Sequence, residues 1–337
     1  MRKLATIQTI KELNPIPNAD SIEVATILGW KVVVKKGQFK VGDLCVFCEI
    51  DSVLPDREWS AFLKDKKFRV RTCRLRGQIS QGIAFPLHIL TGVYSSEEGT
   101  DVTEVLGITQ YIPQIPACIA GLVKGLFPTF IPKTDETRIQ VLQDVLTRYK
   151  GTPCYITEKV DGSSVTYYVK DGEFGVCSRN LELKEDDTNA FWEFAKKVNL
   201  KDKMLSLGTN FALQGELIGA GIQKNNLRLP EKKVLFFNLF MINEYKYLDF
   251  VNFKSYLARL DLESVPIVNE NFILIDNIDE LVKLSVDKSL INNKVYREGI
   301  VIRPLSEIVD LQMAQGLNNG RVSFKVINPE YLLAYEE

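Results

Sequence analysis

The sequence has few of the residues on which metal centres and nucleophilic triads usually depend. It contains one histidine, His88, and six cysteines in 337 residues. A single histidine argues against a centre built from several imidazoles and against a serine–histidine–aspartate triad. Cys45 and Cys48 form one CxxC without a second pair, and side chains three positions apart on a strand point to opposite faces. We therefore expect reduced, buried thiols and a cytosolic protein.

Long apolar runs and an excess of either charge are also absent from the sequence. Its 43 acidic and 42 basic residues give a formal net charge of -1, and 45% of the residues are hydrophobic. No run is long enough to cross a bilayer, and polar residues interrupt the N-terminal segment before a signal-peptide core develops. The composition predicts a globular protein outside the membrane. A nearly neutral chain binds nucleic acid only where its basic residues cluster.

Short strands separated by glycine turns dominate the first part of the chain. The segment IEVATILGWKVVVKKG predicts two strands with a turn near Gly29, and DLCVFCEIDSVLP predicts a third. The segment KKFRVRTCRLRGQISQGIAF predicts a strand, a glycine turn and a further strand. Because few helices are indicated, residues 1–111 are predicted to form a small OB-like β-barrel.

Proline and then alternating elements mark the rest of the chain. Residues 112–133 are rich in proline, which disfavours regular structure, so they are predicted to connect two domains. Residues 134–337 alternate strands and helices, which predicts an α+β domain with antiparallel sheets and flanking helices. One helix is expected to begin after an N-cap at Thr134 or Asp135, and others are expected over residues 187–199, 250–261 and 278–289.

A lysine at the end of an apolar strand stands out in the segment TEKVDGSS. Lys159 precedes Asp161 and Gly162, a pair that is typical of tight turns. Taken alone, the tetrapeptide KVDG (residues 159–162) also fits a surface lysine before a hairpin turn, because such short motifs occur by chance. Later strands carry more residues of the kinds that bind a nucleotide, and these are Arg179 in CSRN, Glu216 in LQGELIGAG, the aromatic rings of VLFFNLF, Glu298 in REGIVIRP and Lys325 in RVSFKVI.

The order of these segments resembles motifs I, Ia, III, IIIa, IV and V of the covalent nucleotidyltransferases. That superfamily contains DNA ligases, RNA ligases and mRNA capping enzymes, and the resemblance covers roughly residues 127–330. DNA ligases and capping enzymes carry an OB domain after motif V, whereas this chain ends twelve residues after Lys325 and has its OB-like module in front. The arrangement is similar to that of the Deinococcus/Naegleria type of ATP-dependent RNA ligase, which we expect to act as a monomer.

The resemblance implies a three-step reaction through lysyl-AMP. Lys159 attacks the α-phosphorus of ATP, the AMP passes to an RNA 5′-phosphate, and a 3′-OH then displaces AMP. The other implied roles are ribose binding by Glu216, adenine stacking by Phe237, recognition of adenine edges by the backbone of Glu158 and Val160, and phosphate binding by Arg179, Lys325 and Arg138. Phe236 is expected to point away from the nucleotide.

The chemistry of this site leads to further expectations. An ordinary lysine is protonated, so burial and positive charge from Lys325 or a metal are expected to favour neutral Lys159. Carboxylates suit Mg²⁺ or Mn²⁺, and Glu298 is the implied ligand, directly or through water. The family pattern often has two lysines in motif V, but Ser323 and Ile327 stand at that spacing from Lys325. Asp161 and Gly162 serve either the turn or the substrate.

A basic cluster in the front module is the candidate RNA-binding surface. Such a cluster is either a solvated barrel face or a row of phosphate contacts. On a regular strand, Arg69 and Arg71 would share one face, and Arg74 and Arg76 would share the other. The candidate residues are Lys66, Lys67, Arg69, Arg71, Arg74 and Arg76, and nicked RNA duplex ends are the expected substrate.

Two other functions fit parts of the sequence. A guanylyltransferase for RNA capping or a DNA ligase would share the motifs, but the order of the domains argues against both. A non-catalytic RNA-binding protein on a ligase scaffold would need no lysyl-AMP, although the near-complete set of motifs argues against it.

Overall fold

The computed structural model of the chain describes residues 3–90, 97–111, 122–313 and 320–335. Its contacts divide the chain into two units. The first consists of residues 1–114, 139–143 and 332–337, and the second consists of residues 115–138 and 144–331. Residues 112–121 of the predicted connecting segment lie outside the described residues.

The first unit is built on an antiparallel sheet. The strands described in it are β1 (Ala5–Pro15), β2 (Ile22–Ile27), β3 (Trp30–Lys35), β4 (Leu44–Cys48), β5 (Ser52–Val53), β6 (Cys73–Leu75), β7 (Gln78–Ser80), β8 (Ile83–Pro86) and β9 (Thr109–Gln110). Five of them form the main sheet in the order β3-β2-β1-β4-β8. Edge strand β3 also approaches β7, which pairs with β6 in a separate two-stranded sheet, and Val33 donates its N–H to Ser80 Oγ at 2.9 Å. The main sheet confirms the predicted OB-like module, although the long strand β1 was not predicted.

The turn after β2 explains why two of the predicted strands form a tight pair. Ile27 and Trp30 are paired across the two-residue turn of Leu28 and Gly29. Ile27 and Trp30 are fully buried, so the hairpin contributes large apolar side chains to the core. The predicted turn near Gly29 is therefore confirmed.

The basic segment does not form the regular strand that was predicted. Residues Glu58–Lys66 form a 3₁₀ helix, and the next strand, β6, begins at Cys73. The chain then reverses at Arg76 and Gly77, which have φ angles of 48° and 85°. Two consecutive positive φ angles are typical of the tightest hairpin turns. The prediction that Arg69 and Arg71 lie on one face of a regular strand, and Arg74 and Arg76 on the other face, is therefore wrong.

The second unit contains two mainly antiparallel sheets. One has the order β10-β15-β14-β13-β16-β17-β18, and the other has the order β11-β21-β20-β12-β19. The strands are β10 (Val123–Leu126), β11 (Thr137–Arg138), β12 (Pro153–Lys159), β13 (Ser163–Lys170), β14 (Glu173–Cys177), β15 (Leu181–Leu183), β16 (Phe211–Ile218), β17 (Lys233–Met241), β18 (Lys246–Tyr247), β19 (Ile267–Ile273), β20 (Gly299–Pro304) and β21 (Phe324–Ile327). Together with the helices, they confirm the predicted α+β class.

The four predicted helices are present, but the first begins later than expected, and two further helices were not predicted. They are α1 (Gln143–Tyr149), α2 (Ala190–Lys197), α3 (Leu200–Leu205), α4 (Phe250–Leu260), α5 (Ile278–Ser285) and α6 (Pro329–Tyr335). The helix expected to begin after Thr134 or Asp135 starts at Gln143 instead. Thr137 and Arg138 pair in parallel with Phe324 and Lys325, so the sheet takes up the segment that was predicted as helix. None of the helices in the described ranges is long and apolar enough to cross a membrane.

Candidate active site

Strand pairing places Lys159 beside Glu298. Lys159 ends β12 and pairs with Gly299, the first residue of β20. A Cβ atom on Gly299 would lie 2.3 Å from the carbonyl oxygen of Val326, so glycine allows β20 and β21 to come this close. Glu298 immediately precedes this pair, and its Oε1 accepts a hydrogen bond from Lys159 Nζ at 2.5 Å. The structure thus brings together the predicted nucleophile and the predicted metal ligand.

The turn after Lys159 carries the chain from one sheet to the other. β13 begins at Ser163 and pairs with β16, so that Ser164 lies opposite Glu216. A Cβ atom on Gly162 would lie 2.3 Å from the carbonyl oxygen of Leu217, which leaves room only for glycine. This close approach brings Glu216 near enough to Lys159 for their charges to interact strongly.

The two carboxylates determine the protonation of Lys159. Burial alone would lower the pKa of Lys159, but the charges of Glu298 and Glu216 outweigh burial and raise it. Burial also raises the pKa of Glu216 to about 8, with Lys159 opposing the shift and Glu298 adding to it. Burial and the charge of Lys325 were expected to favour the neutral form of Lys159. For the side chains of the protein itself this expectation is wrong, because the charges of Glu298 and Glu216 keep Lys159 protonated.

Lys325 responds to its surroundings in the opposite way. It lies on β21 between Val301 of β20 and Arg138 of β11, its two pairing partners. Burial, with repulsion from Arg138 and Lys159, lowers the pKa of Lys325 to about 7. The site therefore contains one lysine held protonated by carboxylates and one whose charge is lost near neutral pH.

An arginine from the neighbouring strand lies beside the position where motif V lacks its second lysine. Ser323 Oγ accepts a hydrogen bond from Arg303 Nε at 3.0 Å. Arg303 is buried, and its Nη2 donates to Glu136 Oε1 at 2.9 Å. A cation is thus present next to Ser323, but β20 supplies it. The sequence contained this arginine in EGIVIRP, yet only the strand register shows that it reaches Ser323.

A β-bulge separates the two candidate phenylalanines of β17. Gln214 pairs with Asn238 and Gly215 pairs with Phe236, which leaves Phe237 as the extra residue of the bulge. Phe236 is fully buried in the core around Tyr167, whereas Phe237 is only partly buried. The Phe237 ring centroid lies 5.8 Å from Arg303 Cζ, so this ring lies near β20 of the other sheet.

The structure gives Glu158 a different set of contacts from the predicted one. Its backbone N–H donates to the carbonyl oxygen of Pro266 at 2.8 Å and is therefore already engaged. Its buried carboxylate accepts hydrogen bonds from Ser289 Oγ at 2.5 Å and from the Leu290 N–H at 2.7 Å. The predicted use of its backbone for adenine edges is thus restricted to the carbonyl. Val160, the other residue of that prediction, is buried directly after Lys159.

Arg179 lies at the edge of the candidate site. It follows β14 and forms an ion pair with Asp135, and 61% of its side chain is exposed. Its charge still acts on Glu216, whose pKa it lowers against the effect of burial. Arg179 is therefore accessible to a phosphate, and the ion pair with Asp135 competes with that role.

Two residues outside the predicted motifs hold Asp161. Tyr331 donates its hydroxyl hydrogen to Asp161 Oδ2 at 2.6 Å, and Asn226 Nδ2 donates to the same oxygen at 3.0 Å. Asn226 also donates to the Tyr331 hydroxyl oxygen at 2.9 Å. Tyr331 lies on α6 and is 170 residues from Asp161 in the chain, so no local pattern indicates the contact. Asp161 is thus bound by distant residues rather than by its own turn.

The candidate RNA-binding residues divide by exposure. Arg69 is largely buried, pairs with Asp51 at 2.8 Å, and lies with its Cζ 3.8 Å above the Tyr111 ring. Arg71 is partly buried. The remaining candidates are exposed, and they are Lys66, Lys67, Arg74 and Arg76. Internal contacts therefore hold Arg69 in the fold, where it is less accessible than the other basic residues of the cluster.

The carboxylates of the site fit a hard divalent cation. Glu298 Oε2 is buried and has no hydrogen-bond partner within the described part of the chain. Among the described residues there is no group of three or more histidine, cysteine, aspartate or glutamate side chains placed to hold a metal. Magnesium and manganese commonly bind to one or two carboxylates, with phosphate oxygens and water as the other ligands. Glu298 provides the donor type that this arrangement needs.

Comparison with known proteins agrees with both units. A family model of an OB-fold domain matches residues 4–87, and the RNA ligase family model matches residues 152–327. No match was found among the curated proteins. Among solved structures, a variant of Naegleria gruberi RNA ligase with ATP and Mn is 37% identical, with a TM-score of 0.89 and complete coverage of both chains.

Two further solved structures give the same result. A variant of the Naegleria gruberi ligase with AMP and Mn is 37% identical and has a TM-score of 0.89, with 99% of each chain covered. The same ligase with pyrophosphate has a TM-score of 0.88 at 37% identity, with 100% of this chain and 99% of that chain covered. The matches extend from the OB-fold module through the predicted motifs. The chain therefore belongs to the RNA ligase family, in the type that carries an OB-fold domain in front of the ligase domain.

Proposed function

We propose that this RNA ligase uses ATP and forms its covalent intermediate on Lys159. The single observation that carries this proposal is the position of Lys159 Nζ, 2.5 Å from Glu298 Oε1 and within the field of Glu216 and Lys325. The solved Naegleria gruberi ligase variants with ATP, or AMP, and Mn support the choice of nucleotide. Covalent catalysis divides one difficult phosphoryl transfer into easier steps.

Each step has a defined bond change. Neutral Lys159 forms a bond from Nζ to the α-phosphorus of ATP while the bond to the β-phosphate oxygen breaks, and pyrophosphate leaves. An oxygen of the RNA 5′-phosphate then takes the AMP and frees the lysine. Finally, the RNA 3′-OH loses its proton, attacks the activated phosphorus and releases AMP. The overall products are joined RNA, AMP and pyrophosphate.

The residues around Lys159 are proposed to bind different parts of the nucleotide, according to their chemistry. Partly buried Phe237 would stack on adenine, and Glu216 would accept hydrogen bonds from the ribose hydroxyls. Arg138, Lys325 and Arg179 would neutralise phosphate oxygens. The carbonyl of Glu158 and the backbone of Val160 remain the groups proposed to contact adenine edges.

Glu298 is the residue proposed to bind the divalent cation, either Mg²⁺ or Mn²⁺. Bound there, the cation would supply charge neutralisation for the phosphate oxygens. Glu298, with its carboxylate engaged in this way, would stabilise the Lys159 ammonium less, so that Lys159 could lose the proton that the two carboxylates otherwise retain.

RNA contact is proposed for the OB-fold domain, with residues 1–111 as that domain, 112–133 as the connection and 134–337 as the adenylation domain. The exposed basic residues of the cluster suit a phosphate backbone. Nicked RNA duplex ends are the proposed substrate. Reduced thiols suit a cytosolic location, since all five cysteines that the structure describes are free.

The test is to incubate the protein with labelled ATP or labelled GTP and a divalent metal, followed by a denaturing gel. Label from ATP alone, followed by joining of an RNA nick, is the expected result. Label from GTP alone would identify a capping-type guanylyltransferase. The absence of any acid-labile label with either metal would favour a non-catalytic RNA-binding protein.

A further inference from the structure

Residues 133–138 connect the two sheets of the second unit, and we call them the strap. At the start of the strap, Lys133 Nζ donates to Asn180 Oδ1 at 2.8 Å. The hydroxyls of Thr134 and of Ser164, on β13 of the seven-stranded sheet, share a hydrogen bond at 2.9 Å. At its end, the strap forms β11, which pairs with β21 of the five-stranded sheet. The strap is therefore attached to both sheets.

Two acidic residues in the middle of the strap differ in their surroundings. Glu136 is buried and accepts a hydrogen bond from Arg303 Nη2 at 2.9 Å. Breaking a buried ion pair is strongly destabilising, so Glu136 has a structural role. The Asp135 side chain is 30% exposed and pairs with Arg179, whose side chain is 61% exposed. Exposed ion pairs contribute little to stability, so the pair of Asp135 with Arg179 can open at little cost.

The charge of Asp135 acts on two cations that are proposed to bind phosphates. Asp135 is paired with Arg179, and it raises the pKa of Lys325 more than Glu298 does. Arg179 also acts on Glu216, which lies opposite the first residues of β13. Asp135 is therefore an anion close to Arg179 and Lys325, where a phosphate that binds both cations would have to lie.

A phosphate and a carboxylate compete directly for the same cations. Both offer negatively charged oxygens to a guanidinium group, which often binds either of them through two hydrogen bonds. Two anions beside one cation also repel each other, so the presence of one weakens the binding of the other. Pyrophosphate carries more charge than a carboxylate and can therefore replace Asp135 at the exposed Arg179. When the phosphate leaves, Asp135 can return to Arg179.

We propose that Asp135 is a competitor within the chain for the phosphates that bind Arg179 and Lys325, and that its return promotes the release of pyrophosphate. This inference rests on the proposed function for the reaction that forms pyrophosphate. Pyrophosphate that stays bound can reverse the first step, because one of its oxygens can attack the α-phosphorus of the lysyl-AMP. The bond to Lys159 Nζ then breaks and ATP is formed again. Faster release of pyrophosphate favours the forward reaction.

The test is a calorimetric titration of the full-length protein with pyrophosphate in the presence of Mg²⁺. Asp135→Asn removes the charge and keeps the size of the side chain. Its dissociation constant for pyrophosphate should be about tenfold lower than that of wild type, because one repelling charge is absent. The KM for ATP should fall as well. The difference in affinity should shrink in about 1 M salt, because salt screens exposed charges.

Asp276→Asn is the matched control. Asp276 pairs with Lys150 at 3.0 Å, and the side chains of the two residues are 32% and 61% exposed, so this variant breaks an equally exposed pair in the second unit. Its affinity for pyrophosphate should equal that of wild type. Asp135→Glu keeps the charge and should also bind pyrophosphate as wild type does.

The sign of the effect separates competition from a structural role. If Asp135 served to hold Arg179 in position for a phosphate, Asp135→Asn would weaken pyrophosphate binding and raise the KM for ATP. Either that result or an unchanged affinity would overturn the proposal. In an Arg179→Ala background, Asp135→Asn should have a much smaller effect, because residues that act through one contact are not additive. An undiminished effect in that background would also overturn the proposal.

Labelling with ATP separates this proposal from the proposed function. Failure of wild type to form the lysyl-AMP would refute the ligase mechanism on Lys159. The titration with pyrophosphate needs no covalent step, so it measures the effect of Asp135 whether or not the lysyl-AMP forms.

Discussion

The site around Lys159 and the basic cluster of the OB-fold domain both contain several basic residues, but the surroundings of these residues differ. Around Lys159, carboxylates lie next to the partly buried Lys159 and Lys325, so each charge changes the pKa of its neighbours. In the basic cluster, Lys66 and Lys67 are exposed to solvent. Charges in a partly buried cluster interact strongly, whereas solvent and salt screen exposed ones.

This difference indicates two uses of positive charge in one enzyme. The partly buried cluster is suited to chemistry, because small changes in its composition alter which groups carry protons. The exposed cluster is suited to holding a long polyanion, for which the number of cations counts more than their exact positions. Removal of one residue should therefore be severe in the first region and moderate in the second.

The largest effect is expected at the nucleophile. Lys159→Ala should lower RNA joining by at least about 10³-fold and abolish the lysyl-AMP, because no other amine stands in the same position. Gel labelling with ATP measures the intermediate directly. Lys170→Ala, a surface lysine on β13 paired with Asp171, serves as the control and should keep full labelling. Substantial labelling of Lys159→Ala would place the intermediate elsewhere.

The two neighbouring phenylalanines of β17 should respond differently to replacement by alanine. Phe236→Ala removes a fully buried ring and should lower the free energy of unfolding by about 3–5 kcal/mol. Phe237→Ala should raise the KM for ATP about tenfold and change the unfolding free energy little, because this ring is only partly buried. Denaturant unfolding and initial-rate kinetics distinguish the two effects, and a reversed pattern would contradict the assignment of Phe237 to adenine.

Lys325 provides a pH-dependent test. Its pKa is lowered to about 7 in the folded protein, so between about pH 7 and its ordinary value of 10.5 the unfolded chain binds more protons than the folded one. The cost of burying its charge is therefore largest below pH 7 and declines as the pH rises. Lys325→Met should raise the unfolding free energy by roughly 1 kcal/mol at pH 7 and by less at pH 10, while RNA joining falls.

Thermal unfolding of wild type and Lys325→Met across this pH range measures the effect. A stabilisation that grows between pH 7 and pH 10 would contradict the lowered pKa. Lys254→Met, an exposed lysine paired with Glu270, controls for the loss of a surface charge.

The smallest effect is expected at Tyr331. Tyr331→Phe removes the hydroxyl that donates to Asp161 Oδ2, leaving Asn226 as the donor described for that oxygen. The kcat for lysyl-AMP formation should fall about threefold to tenfold with little change in the KM for ATP, because the group positions Asp161 without touching the nucleotide. Single-turnover labelling at several ATP concentrations separates the two constants. An effect confined to the KM would show that Tyr331 acts in binding.

The sequence predicted the ligase domain better than the RNA-binding surface for a physical reason. Lys159 and Glu298 stand at strand ends and Glu216 lies within β16, each near a glycine that allows a close backbone approach, so local sequence patterns indicated their positions. Arg303 contacts Ser323, and Tyr331 contacts Asp161. Each contact joins segments that are separated in the sequence, so no periodic pattern of residues indicates it. The basic cluster indicated the glycine turn at Gly77 but not the 3₁₀ helix of residues Glu58–Lys66.

The most direct test of the account is to locate the adenylate by mass spectrometry of digested protein after incubation with ATP and a divalent metal. The peptide containing Lys159 should gain the mass of one AMP group, and the label should disappear when a nicked RNA is added. An AMP group on Lys325 or another residue, or RNA joining without any adduct at Lys159, would contradict it.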